Sequence, residues 1–219
     1  MKVVIFGIAD FASLAHHYLK TDSDHEVVAF TVTSDYLPPE QRFEGRPVLP
    51  FETIERTYSP TDFALFAPMS HRSMNRLRQQ TYDAAKAKGY SLISYISSRA
   101  MVLSNASVGD NCFILEGNVI QPYVTIGNNV VLWSGNHIGH HSVIHDHVLF
   151  TSHVVLSGHC VVEPYAFMGV NSTVRDGVRI AEGTFVGMAA AIQGDTDPWS
   201  VYHGSPARKS RVPSTALRF

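Results

Sequence analysis

The stretch VTIGNNVVLWSGNHIGHHSVIHDHVLFTSHVVLSGHCVV, residues 124–162, decides the fold. A large apolar residue returns at every sixth position, Ile126, Leu132, Ile138, Ile144, Phe150, Leu156 and Val162, and the register runs on in both directions. From Val108 to Ile192 all fifteen such positions are large and apolar. The residues two before each, from Ala106 through Cys112, Ser142 and Cys160 to Ala190, read as a second column, small or β-branched. A period of six is neither the 3.6 of a helix nor the 2 of a flat strand. It suits a coil whose short flat sides each send one side chain inward. Three sides close a coil in eighteen residues, so fifteen hexads give five coils, stacked at about the 4.8 Å spacing of paired strands.

Composition excludes several functions. The chain has 219 residues, 45% hydrophobic and 16% charged, which removes disorder and collagen-like repeats. Its 17 Lys and Arg against 19 Asp and Glu, with a formal charge of -2 and no basic run, argue against a nucleic-acid partner. The apolar run Val3 to Ala9 is too short to span a bilayer, so no membrane insertion is expected. Cys112 and Cys160 lack a CxxC spacing, which speaks against a disulfide scaffold or structural zinc and fits a cytoplasmic protein. Both fall in the small column, aimed at the solenoid interior, so neither is a plausible nucleophile.

The first hundred residues read as an α/β unit. Lys2 to Phe6 is a buried-type strand, Phe11 to Lys20 a helix, and His25 to Thr33 a second strand. Prolines between Pro38 and Pro50 mark a loop, Phe51 to Tyr58 a short helix, and Asp62 to Ala67 a third strand. A long helix is expected over Ser70 to Lys88, then a fourth strand over Tyr90 to Ile96. The organisation is therefore an α/β domain with a small Rossmann-like parallel sheet, residues 1–96, followed by a parallel β-helix of hexapeptide repeats, residues 97–219.

In such sheets ligands sit beyond the strands' carboxyl ends, beside the first turn. Here that turn is GIADFAS, residues 7–13, with a single glycine, so the dinucleotide fingerprint is not met and a hydride-transfer cofactor is not expected. A mononucleotide phosphate or a nucleotide-sugar can still use this backbone and the helix start behind it. The substrate set is Gly7, Ile8, Ala9, Asp10 and Phe11, with Ser34 and Asp35 at the end of the second strand for a ribose or base, together with Met69 and Asn75.

Eight of the twelve histidines fall between His137 and His203. The hexad register puts His140 and His141 at a coil corner with side chains outward. Eighteen residues on, His159 stacks over His141 and Glu163 over His145, the latter a possible imidazole–carboxylate pair. A histidine projecting at such a corner is suited to general-base work near neutral pH.

The order of an α/β domain ending in SMNRLRQQTYDAAKAKGYSLISYI, then hexad coils, then a terminal GSPARKSR resembles a known family over nearly the whole chain. This is the hexapeptide-repeat nucleotide-sugar N-acetyltransferases, which modify 3-amino or 4-amino deoxysugars such as bacillosamine and perosamine precursors, with sialic acid O-acetyltransferase relatives. The resemblance implies a left-handed coil and a homotrimer. It also implies acetyl-CoA as co-substrate, a UDP-, dTDP- or GDP-linked amino sugar as acceptor, and a role in bacterial surface-glycan (O-antigen or capsule) biosynthesis.

Aligned without a gap, His140 falls on the family's catalytic histidine. His141 stands where an acidic residue usually follows, leaving Glu163, Asp146 or a residue of a neighbouring subunit to orient the base. The family's thioester-contacting histidine corresponds to Leu149, with His153 nearby. CoA is implied along Gly169, Val170, Asn171, Gly187, Met188 and Ala189, with Arg208, Lys209 and Arg211 toward its phosphates. The alternatives are a sugar O-acetyltransferase, a zinc enzyme resembling the hexapeptide carbonic anhydrases built on His140 and His145, and a non-catalytic hexapeptide protein. The zinc reading lacks a third histidine, because residues 96–136 contain none. No metal is therefore expected.

Overall fold

The computed structural model describes residues 1–204. Strand β1 (Lys2–Phe6) is apolar and buried after its first residue, as a central parallel strand must be. Gly7 follows at φ 114°, a conformation that side chains rarely adopt. Helix α1 (Asp10–Thr21) then lays Ala12, Ala15 and Leu19 on the sheet, and β2 (Glu26–Val32) returns parallel to β1.

The proline-rich stretch expected to be a loop instead holds β3 (Arg42–Phe43) and β4 (Arg46–Pro50), turned back on each other through left-handed Glu44 and Gly45. Val48 and Leu49 carry the pairing of β4 with β2, so the flanking prolines do not break it. Strand β5 (Ala64–Phe66) lies on the other side of β1, giving the order β3-β4-β2-β1-β5. The expected fourth strand is not in this sheet. A single bridge ties Leu92 to Leu65, and Tyr95–Ile96 pairs onward with Phe113–Ile114.

The helix expected from Ser70 begins only at Arg76 (α2, Arg76–Ala87). Ser73, Met74 and Asn75 are consecutively left-handed, with φ of 53°, 50° and 64°, which no right-handed helix can contain. Asn75 is held there by donating Nδ2 to the Tyr165 carbonyl at 3.0 Å.

Among the described residues, eighteen two-residue strands follow, from Tyr95–Ile96 to Val201–Tyr202, in three parallel sheets of seven, six and five strands. Up to Ile192 partners are eighteen residues apart, as in Val119 with His137, Leu132 with Phe150 and Ile144 with Val162. The solenoid is longer than the five coils expected. Ile96 and Val102 keep the hexad register before Val108, and Val201–Tyr202 adds a rung after the break at residues 193–200. From Ile114 onward the inner column, including Ile138, Phe150 and Met168, is buried, and so are Cys112 and Cys160. Asn118 and Asn136 fit the small column because Asn136 Nδ2 donates to Asn118 Oδ1 at 3.0 Å, one amide satisfying the next.

The α/β layer rests on the outer side of the seven-stranded sheet. Phe113, Val131, Leu149 and Phe167 share one core with Val3, Leu19, Phe30 and Phe66. Helix α2 runs along one corner of the solenoid. At its start Asn75 meets Tyr165; further on Arg78 Nη2 donates to the His147 carbonyl at 2.8 Å. Near its end Tyr82 donates to Asp110 Oδ1 at 2.7 Å, and Lys86 pairs with the same carboxylate. From Tyr165 back to Asp110 is three coils, about 14 Å at strand spacing. The eleven residue steps from Asn75 to Lys86 rise about 16 Å, so the helix lies along the solenoid axis.

Candidate functional site

The chain runs from β1 outward through β2 to β4 and then crosses back to β5 on the other side of β1, so a topological switch point lies between the carboxyl ends of β1 and β5. A cavity of about 460 Å³ opens there, lined by Gly7, Asp10, Phe11, Met69, Arg72 and Trp133 among others. Ala9, at the start of α1, also lines it and makes no side-chain cap, so the first amides of the helix remain available to an anion. Trp133 comes from the solenoid and meets Phe11 edge-on at 5.4 Å, so the cavity wall belongs to both units.

Of the expected substrate residues, Gly7, Ala9, Asp10, Phe11 and Met69 line this cavity, while Ile8 does not. Ser34 and Asp35 lie away from it. The Ser34 amide and hydroxyl are spent on the Glu52 carboxylate, with Oγ to Oε2 at 2.8 Å. Asn75 is corrected outright, being fully buried and committed to the Tyr165 carbonyl. Arg72 and Trp133 escaped the sequence reading because their loop and coil meet only in three dimensions. A second cavity, about 430 Å³ around His16, His25 and Arg46, sits at the opposite, amino end of the strands.

The solenoid has three corners per coil. His140, His141 and His159 stand exposed at the corner between the six- and five-stranded sheets. Left-handed backbone at His141 and His159, φ 58° and 55°, turns the chain and throws both rings outward. They stack at 4.9 Å and 15°, with Tyr123 tilted against His141 at 4.7 Å one coil below. The His140 amide donates to Gln121 Oε1 at 2.9 Å, and His140 Nδ1 meets His141 Nδ1 at 3.1 Å. The ring of His140 overhangs Gly158, where Asp176 also reaches.

The proposed orienting carboxylates are not there. Asp146 accepts from the Asn128 amide at 2.7 Å, and Glu163 takes the Arg179 guanidinium at 3.0 Å rather than His145. Among the described residues, the side chain that hydrogen-bonds to the His140 ring is that of His141.

The residues expected to meet CoA form a different corner, after the seven-stranded sheet. His153, Val170, Asn171, Met188 and Ala189 are exposed in one column, linked by the Asn171 amide to the Ser152 carbonyl and the Ala189 amide to the Val170 carbonyl. Gly169 and Gly187 are buried beneath it; a Cβ on Gly169 would fall 2.6 Å from the Met188 amide nitrogen. Leu149 is corrected, because it is 1% exposed and packed in the core shared with the α/β unit, where no thioester can reach. Arg208, Lys209 and Arg211 lie outside the described residues. Trp133 and the exposed column share this corner, and the histidines occupy the next, so one chain does not bring cavity and histidines together.

No family model matches the chain. Solved structures do. Perosamine N-acetyltransferase from Caulobacter crescentus, in complex with CoA and GDP-perosamine, superposes with a TM-score of 0.81 at 24% identity, covering 95% of this chain and 96% of that one. The acetyltransferase domain of PglB from Neisseria gonorrhoeae gives 0.79 at 20% identity over 94% and 98%. WeeI from Acinetobacter baumannii gives 0.77 at 19% over 95% and 99%. The chain shares their fold. That fold is a Rossmann-like α/β unit carried on a left-handed parallel β-helix, as the element order of this chain also reads.

Proposed function

We propose that the protein is an acetyl-CoA-dependent N-acetyltransferase acting on the amino group of a nucleotide-linked amino deoxysugar, in the making of a bacterial surface glycan. The observation that carries this reading is the pairing of two features. A cavity with helix amides and Arg72 suits a nucleotide diphosphate, and an exposed histidine corner has His140 placed to take a proton. The structural neighbour solved with CoA and GDP-perosamine supports the substrate class. In this reading residues 1–96 hold the nucleotide, and residues 97–219 hold the thioester and the base.

Because cavity and histidines occupy different corners, the reading requires a second copy of the chain, and a homotrimer supplies one at every corner. CoA runs along the exposed column at His153, Val170, Asn171, Met188 and Ala189, and the neighbouring copy brings His140.

Chemistry follows from the tautomer. With His140 Nδ1–H donating to His141 Nδ1, His140 Nε2 keeps its lone pair, at the exposed corner beside Gly158. The neutral sugar amine attacks the thioester carbon while Nε2 accepts its proton. Backbone amides of the coil stabilise the oxyanion; the C–N bond forms, the C–S bond breaks, and the CoA thiolate leaves with the proton. No covalent intermediate on the enzyme is needed.

The test is thiol release from acetyl-CoA with purified protein and UDP-, dTDP- and GDP-linked 3-amino and 4-amino deoxysugars, beside His140→Ala. Turnover with an amino sugar that falls by about 100-fold or more in the variant supports the reading. Turnover only on a hydroxyl acceptor moves it to O-acetyl transfer.

A further inference from the structure

The corner that carries His140 gathers three imidazoles from two coils. One ring nitrogen from each of His140, His141 and His159 lies within 4.8 Å of the other two. All three rings are exposed, and among the described residues no carboxylate hydrogen-bonds to any of them. The Nδ1 atoms of His140 and His141 are 3.1 Å apart. Two imidazole ligands on a tetrahedral zinc ion, at Zn–N distances of about 2.0–2.1 Å, stand about 3.3 Å apart. That pair is already spaced as two vertices of a zinc tetrahedron, and a His159 ring nitrogen within 4.8 Å of both stands where the third is needed.

We propose that His140, His141 and His159 bind a divalent cation of borderline softness, zinc(II) fitting best, with three imidazole ligands and one open position. An all-nitrogen set of three neutral donors suits zinc and its late transition-metal neighbours; it does not suit calcium or magnesium, which take oxygen. The register explains why the trio exists. His141 and His159 are stacked by the eighteen-residue period, and His140 sits beside His141, so a corner that turns through left-handed histidines builds a chelate without any added loop.

Resting on the acyl-transfer reading, occupancy has a consequence for catalysis. An imidazole bound to metal through Nδ1 carries its proton on Nε2 and has no lone pair left there. His140 then cannot accept the proton of the attacking amine, so metal binding and acyl transfer exclude one another at this corner.

The test uses the full chain, stripped of metal with EDTA and freed of chelator. Titration with zinc chloride against a chromogenic zinc indicator is expected to show one ion per chain, and cobalt(II) chloride to give the intense visible bands of tetrahedral cobalt. His159→Asn keeps a residue that accepts the left-handed backbone and removes one ligand; it is expected to weaken zinc binding by at least about 10-fold, with its thermal melt unchanged. Should that variant fail to fold, His141→Asn is read the same way. Wild-type affinity in the folded variant, or no uptake by the wild type at micromolar zinc, overturns the proposal. These measurements involve no substrate, so they stand whether or not the chain transfers acetyl groups. If it does, product measured by mass spectrometry falls to background at saturating zinc and returns with EDTA; full turnover at saturating zinc overturns the exclusion.

Discussion

The ring of His140 lies directly over Gly158, so that a Cβ at residue 158 would fall 2.8 Å from Cε1 and 2.9 Å from Nε2, with Asp176 Oδ1 at 3.0 Å. Both neighbours are ends of side chains that can swing away. Gly158→Ala is therefore expected to fold with a cost of at most about 1 kcal/mol but to push His140 off its position; under the proposed acyl transfer, turnover then drops about 10–100-fold. Gly139→Ala is the contrast, since its Cβ collides with the Ser157 carbonyl carbon and lies 2.5 Å from the Gly158 nitrogen, all backbone. Urea unfolding should show a loss of about 3 kcal/mol or more there. Equal stability losses in the two variants would contradict the geometry.

Stability should fall on mild acidification. Asn129 Nδ2 donates to His147 Nδ1 at 2.9 Å, which requires a neutral ring, and burial lowers the affinity of His147 for a proton; burial does the same to His16 and His25. With folded pKa values below the unfolded value of about 6.5, these rings favour the folded state fully above pH 6.5 and lose that contribution as pH falls through their folded pKa values. The Asp22, Glu52, Glu55 and Glu116 carboxyls, held low by hydrogen bonds, matter only at more acid pH. His147→Asn, continuing the Asn111–Asn129 amide ladder, should flatten the dependence of the melting temperature on pH between 7.5 and 5.5. An unchanged slope would remove His147 from this account.

Neither cysteine should react in the native protein. Burial pushes the Cys112 thiol up to about 11 and raises that of Cys160 as well. A disulfide reagent at pH 8 is expected to titrate no thiol in the folded chain and two after denaturation. Rapid labelling of one native thiol would show that the corresponding coil opens.

Arg78 is fully buried between α2 and the solenoid, with Nε and Nη1 unpartnered among the described residues, and burial pulls its guanidinium down to about 9. Arg78→Ala should cost about 3–5 kcal/mol through the cavity it leaves. Arg78→Met fills that space and removes the unpaired charge, so it should cost clearly less in the same denaturant series. Equal losses would mean that the hydrogen bonds to the His147 and Val148 carbonyls dominate instead.

The solenoid was legible because its signal is one-dimensional: a side chain such as Ile138 or Phe150 points inward whatever its neighbours do, so the period survives in the sequence. Ile96 and Val102 obey the same period but cap the stack and remain partly exposed, which makes them easy to leave out. The left-handed turn at Ser73–Asn75 was not legible. Residues 73–75 carry no glycine, and the conformation is imposed by carbonyls of Tyr165 and Ala166, ninety residues away. At the site, the register placed His140, His141 and His159 together correctly. It assigned Leu149 by alignment alone, when the α/β unit covers that strand. Arg72 and Trp133 needed the docking of two units to appear.

Helix α2 touches rungs of the solenoid at Tyr165, His147 and Asp110, and its length matches their separation. It therefore works as a ruler laid against a stack. Removing eighteen residues between Asp110 and Tyr165 would leave a perfectly good β-helix, with every hexad in phase, yet the ruler would overhang by one division and its anchors would meet the wrong rungs. Repeat proteins drift readily in copy number. This one carries its own gauge, and a change in coil number beneath the α/β unit must be matched by about three residues, not quite one turn, of α2.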